Sequence, residues 1–418
     1  MAPSGPNYFF SRGLLAASFS ALVLSAEIDR QPSEVEAQPL DFDYDLRTLA
    51  QESRYNETAA LVRDTELFQP PNLEHVLTNQ AVNAEDMTVG PDGVAYAGLG
   101  DGRIASFEVD SNEVRNFSRT GQDVPGCGTP DLEPICGRPL AIKFAAARPF
   151  AKFIQRIPAA KLFPGDFVML AIDAYQGVFL FDANGGRTLL FNQYAGLHVN
   201  FLNALAVVQE TGEIYVSDSS RRFQNAQVVF DFLERRPTGY LLRFDPRDES
   251  VHVEASGLGF PNGLALEKDG SGLLIALEFQ NKIVRFDRAT KQIKDFAFLP
   301  GTPDNISIEK VGAGANETDV LLVGLIIRVD GGTFSQIIQN AELRNLLLQL
   351  PASVTFSFID RLGVFASVDL ETGDVRYVYE ASQGQTPLVT GAKRFGDYIY
   401  LTSFLRSSLT RIPAAMVQ

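Results

Sequence analysis

Three histidines, two cysteines and no tryptophan are spread through 418 residues, and this shortage limits the chemistry on offer. A zinc site needs closely spaced Cys or His ligands. Cys127 and Cys136 stand nine apart in CGTPDLEPIC, no CxxC pair exists, and the histidines are too few to complete a site. Basic residues are in the minority, 36 Lys and Arg against 51 Asp and Glu, for a formal charge of −15. No basic stripe is visible, which argues against nucleic acid as a partner because phosphate backbones are bound by clustered Lys and Arg. Long apolar runs are scarce too. The run GLLAASFSALVLSA, Gly13 to Ala26, follows Arg12, the one charge in the first 26 residues; it is short for a bilayer span and suits the apolar part of a secretory signal. Residues 1–26 are therefore expected to be a signal peptide or a signal anchor. The protein would then be secreted, vacuolar or endomembrane, or associated with a membrane through its N-terminus.

Other residues are abundant. With 45% apolar content, 31 Phe, 34 Gly and 22 Pro, the chain can bury a large core built of many short strands joined by turns. Residues 27–69 carry 11 acidic and four basic side chains without strand alternation and read as an acidic linker, with a helix around Leu46 to Arg63. In a secretory compartment Cys127 and Cys136 are expected to form a disulfide, two unpaired thiols being the alternative. Asn56, Asn116 and Asn316 open N-x-Ser/Thr sequons and are candidate glycan sites.

A loose pattern recurs from Glu85 onward: a polar residue, an apolar alternation, a Gly-containing turn, a second strand, then a third ending near an Asp. EDMTVGPDGVAYAGLGDGRIASFEVD, NALAVVQETGEIYVSDSS and NGLALEKDGSGLLIALEFQNKIVRFD show it clearly. NISIEK with FASVDLETGDVRYVYE, RPLAIKF with DFVMLAIDAYQGVFLFD, and RFGDYIYLTSFLRSSLTRI complete the set. Six such units predict an all-β, six-bladed propeller over residues 70–418, the alternative being a pair of β-sandwiches. Asn72 to Asn79, NLEHVLTN, is the candidate for a strand that completes the last blade from the other terminus. The segments AAARPFAKFIQRIPAAKLFPGD and GGTFSQIIQNAELRNLLLQLPASVTFSFIDRLG have helical spacing. Each is expected to be either a lid over the channel or a packed surface helix.

In such a ring the first residues of each innermost strand crowd the axis. Glu85, Asn203, Asn262, Asp304 and Asn305 hold those places. Five oxygen donors with two formal negative charges, and no His or Cys among them, suit a hard cation, Ca²⁺ best. The competing reading is that Asp and Asn before a strand only bond to their own turns.

The stretches CGRPLAI, AIDAYQGVF, VSDSS, GFPNGLAL, PGTPDNISI and DYIYLTSFLRSSLTRI resemble, in order and character, the strictosidine synthase-like proteins, from about Pro70 to the C-terminus. The wider superfamily includes paraoxonases and gluconolactonases, metal-dependent hydrolases of lactones and esters. The resemblance implies that Glu85, Asn203, Asn262, Asp304 and Asn305 match paraoxonase calcium ligands. It also exposes departures. Ala204 stands where an Asp helps hold a second calcium, Leu140 falls where a lactone-processing His is found, and Thr390 falls near the last-blade Glu of strictosidine synthase. The expectation is a metal-dependent esterase or arylesterase acting on a small ester or lactone and unable to make strictosidine, with no general base assigned. Its rival is a non-enzymatic binding platform with a structural calcium.

Overall fold

In the computed structural model, which describes residues 59–108, 111–314, 317–329 and 333–418, each apolar alternation becomes one antiparallel sheet. The six sheets follow one another along the chain as six blades of a β-propeller. Their innermost strands are Met87–Val89, Pro139–Ala146, Leu202–Val207, Pro261–Leu266, Gly301–Val311 and Gly391–Phe395. Period-two alternation places one set of side chains on each blade face. Between neighbouring faces lie layers such as Leu274, Ala276, Leu321, Val323, Val364 and Ala366, all close to fully buried. The core is therefore a ring of inter-blade layers.

Glu74–Val76 is the outer strand of blade six, paired antiparallel with Leu409–Pro413 so that Glu74 faces Arg411. Residues close to the two ends of the described chain thus share one sheet, as NLEHVLTN suggested, and the ring closes by backbone hydrogen bonds. Arg411 also ion-pairs with Glu74 at 2.7 Å.

Two segments differ from the compositional expectation. Ala60–Arg63, assigned to the linker and its helix, is a strand running parallel to the outer strand of blade five. Leu67 and Phe68 are buried against Ile399, Ile412 and Val417. Acidic neighbours dominated the composition of that stretch, while two apolar side chains anchor it. The signal segment and the rest of the linker, with Asn56, lie outside the described residues.

The helical inserts part ways. Residues 148–154 form a short helical turn whose Phe150 and Phe153 pack beside Phe244 and Ile214 on the flank of blades two and three, so this insert is a surface prop. The second insert forms the helices Thr333–Gln339, Ala341–Leu347 and Ala352–Phe356. They pack on the helix Val228–Glu234, which interrupts blade three, and on Leu140, Phe201, Phe260 and Phe279. Arg344, buried in this layer, donates from Nη1 to the Leu233 carbonyl at 2.7 Å, which ties the two parts of the cap together. Because Phe201 and Phe260 each precede an axial Asn by two residues, the cap sits at the polar entrance of the inner strands.

Candidate axial cation site

The same backbone device delivers the axial side chains of blades three, four and five. Pairing with the second strand skips residues 203–204 after Leu202, 262–263 after Pro261, and 304–305 after Pro303. Such a bulge leaves residues out of the ladder and re-aims their side chains. Blade two has a shorter skip, of one residue, between Pro139 and Ala141, and that residue is Leu140, which joins the apolar cap layer. One bulge position in four is thus apolar. Gly263 completes the arrangement: a Cβ there would lie 2.5 Å from Ile306 N and 2.7 Å from the Asp304 carbonyl oxygen, so blades four and five can approach only if residue 263 lacks a side chain.

All five residues are buried, none more than 6% exposed. Glu85 precedes the inner strand of blade one. Its carbonyl oxygen accepts hydrogen bonds from Thr390 Oγ1 and Thr402 Oγ1, each at 2.8 Å, and lies 3.4 Å from Asn305 Nδ2. Asn305 N donates to the Thr390 carbonyl at 2.8 Å. Blades one, five and six are thereby stitched together, and Thr390, with its hydroxyl spent on this network, is a structural residue.

Glu278 was missed by the sequence reading. It follows the second strand of blade four and is 1% exposed, and its Oε1 accepts from Asn262 Nδ2 at 2.5 Å. That bond fixes the Asn262 amide so that its oxygen is the free end. Asn203 Oδ1, Asn262 Oδ1, Asp304 Oδ1 and Glu278 Oε2 are buried and have no hydrogen-bond partner. Leaving such oxygens unpaired is costly, and several from adjacent strands form a donor set suited to a hard cation.

The electrostatics agree. Burial, with Glu278 and Glu85 nearby, raises the Asp304 carboxyl well above its ordinary range. Burial also raises Glu278, with Glu85 and Asp231 adding to it and the Asn262 hydrogen bond opposing. Glu85 is pushed up to about 7 by burial against the pull of Arg138, whose Nη2 is 3.6 Å from Glu85 Oε2. Mutually repelling carboxyls in a dry pocket favour a divalent partner. The set relies on amide oxygens: among the described residues, no three His, Cys, Asp or Glu side chains group as a metal site by themselves.

Asp86, 3% exposed, faces Lys393, whose Nζ lies 2.5 Å from Asp86 Oδ1 and donates to the Met87 carbonyl at 2.7 Å. An ammonium already balances this carboxylate. No histidine is buried with the cluster, His75, His198 and His252 all being exposed. Cys127 and Cys136 are disulfide-bonded, and the next residues, Gly137 and Arg138, lead to the Arg138 N to Asp173 Oδ2 bond at 2.7 Å. Of the sequons, Asn116 is exposed on the outer strand of blade one, while Asn316 lies outside the described residues.

A six-bladed propeller with a buried oxygen-donor cluster at one channel end is the class of protein that fold and site define. Residues 203–287 match the strictosidine synthase family. The chain is 27% identical to an adipocyte plasma membrane-associated protein of Gallus gallus, over 83% of this chain and 82% of the relative. It is 28% identical to protein strictosidine synthase-like 10 of Arabidopsis thaliana, over 76% and 81%. Among solved structures it resembles a gluconolactonase of Xanthomonas campestris, with TM-score 0.50 and 15% identity over 81% of this chain and 88% of the other. It also resembles the calcium-binding protein regucalcin of Agrobacterium tumefaciens, with TM-score 0.51 and 13% identity over 85% and 95%. The chain is a six-bladed propeller similar to the strictosidine synthase-like proteins, with the fold shared by that gluconolactonase and regucalcin.

Proposed function

We propose that the protein is a secretory-pathway hydrolase that holds one Ca²⁺ at the capped end of its channel and acts on a small ester or lactone. The observation that carries the reading is the convergence of unpartnered, buried Asn203, Asn262 and Asp304 oxygens from three successive bulges. Glu85 and Asn305 complete the ligand set, and the cation, when bound, supplies Lewis-acid polarisation of a substrate carbonyl. Glu278 orients Asn262 and adds negative charge. Phe201, Phe232, Phe260 and Phe279, whose rings pack at centroid distances of 5.3–5.5 Å, keep the entrance dry and offer an apolar surface to the acyl or aryl part of a substrate. The structural neighbours include a calcium-binding protein and a gluconolactonase, which supports the cation and the reaction class. The apolar run at Gly13 to Ala26 and the disulfide support the compartment.

A second reading, a non-enzymatic platform with a structural ion, is favoured by the aromatic layer that covers the axial entrance and by the burial of the carboxyls beside the Asn residues, Glu85, Glu278 and Asp304. Chelator-treated protein assayed on aryl esters and lactones, with and without added Ca²⁺, separates the two. Turnover that returns with Ca²⁺ supports the hydrolase. A Ca²⁺-dependent rise in melting temperature without turnover of any substrate supports the platform.

A further inference from the structure

At the opposite end of the channel from the cap, residues from all six inner strands line an open cavity of about 390 Å³. Its lining includes the apolar Ala206, Leu266 and Ile308, contributed by three successive blades, and the charged Lys143, Lys393 and Glu309. Lys393 is committed to Asp86 and the Met87 carbonyl. Arg394, at the rim, ion-pairs with Glu317 at 2.8 Å. Lys143 is less committed: its Nζ stands 3.7 Å from Asp86 Oδ2, beyond hydrogen-bond reach.

We propose that this mouth is a second ligand site, for a small amphipathic carboxylate whose anionic head rests on Lys143 and whose short alkyl chain lies on the Ala206, Leu266 and Ile308 wall. A cation is disfavoured by the two ammonium groups, and a neutral ligand gives Lys143 no hydrogen-bonded anion beyond its longer-range pairing with Asp86 at 3.7 Å. A dianion asks for a second uncommitted donor, while Lys393 and Arg394 are already engaged. The volume falls within the range of small-molecule sites, which combine apolar walls with a few placed polar groups. Burial and the Lys393 charge lower the Lys143 amine to about 8, so it is mostly protonated at neutral pH and a carboxylate ligand would restore its affinity for the proton. Burial raises the Glu309 carboxyl, against the pull of Lys393 and Lys143, which weakens its competition for the same ammonium.

The test uses hexanoate, with hexan-1-ol and hexylammonium as controls, on the full chain at pH 7. Calorimetry is expected to show saturable hexanoate binding, at least about tenfold tighter than that of either control, since a hydrogen bond to a charged group is at stake. Hexanoate should also protect Lys143 from limiting acylation, read by peptide mass spectrometry. Lys143→Met should abolish binding and Asp304→Ala should preserve it. Absence of binding, binding without protection of Lys143, or loss in Asp304→Ala with retention in Lys143→Met would overturn the assignment. Should Lys143→Met fail to fold, Leu266→Asp, which puts a negative charge in the apolar wall, must weaken hexanoate binding, and unchanged affinity there counts equally against the site.

Discussion

Glu278 Oε1 and Asn262 Nδ2, 2.5 Å apart, form a buried hydrogen bond that aims the amide oxygen of Asn262 away from the carboxylate. Glu278→Gln removes a negative charge and permits the amide to reorient, so Ca²⁺ affinity should fall by about tenfold or more. Calorimetric titration of the chelator-treated variant measures this. Wild-type affinity would reduce Glu278 to a packing residue.

The five proposed ligands come from four blades, so a bound cation would clamp the ring. Adding Ca²⁺ to chelator-treated protein should raise its melting temperature by linkage, equivalent to roughly 2.7 kcal/mol at a free concentration one hundred times the dissociation constant. Asp304→Ala should erase the shift and, with it, any ester hydrolysis. A wild-type melting temperature indifferent to Ca²⁺ would return Asp304 and Asn305 to the role of turn residues.

Six blades, their order and the closing strand were legible in the sequence because period-two alternation and a polar opening residue repeat together. The axial Asn residues were legible for the same reason: each interrupts an otherwise apolar strand at its bulge. Glu278 was not, because it follows a second strand and has no counterpart in the other units that could mark it. The cap was only half legible. Thr333–Gln339 and Ala341–Leu347 announced themselves by helical spacing, whereas VVFDFLE is a single short helix whose packing partners, Phe260 and Phe279, are remote in sequence. Residues 60–68 were hidden because strand pairing to blade five supplies an order that composition does not encode.

Lys393 and Asp86 form a buried ion pair inside the channel. Removing Lys393 leaves Asp86 with only the more distant Lys143 ammonium, 3.7 Å away, so Lys393→Met should destabilise the fold by about 3 kcal/mol at most, measured by denaturant titration. The double variant with Asp86→Asn should recover much of that loss. Equal losses in single and double variants would show that the two side chains act independently.

The last prediction concerns pH. Asp231, on the cap helix Val228–Glu234, is fully buried. Burial, with Glu234 adding and Ser220 and Arg222 opposing, pushes its carboxyl up to about 8. Between its unfolded value near 4 and about 8 the folded protein retains a proton there that the unfolded chain has released, so stability must fall as pH rises through this window. One such group contributes a slope of at most about 1.4 kcal/mol per pH unit. Asp231→Asn, close in shape and unable to ionise, should flatten the pH dependence and raise stability at pH 7.5 relative to the wild type. Denaturant titrations at pH 5.5, 6.5 and 7.5 on both proteins read the slope. Parallel profiles would mean that Asp231 is ionised in the fold, with its charge balanced by Arg222.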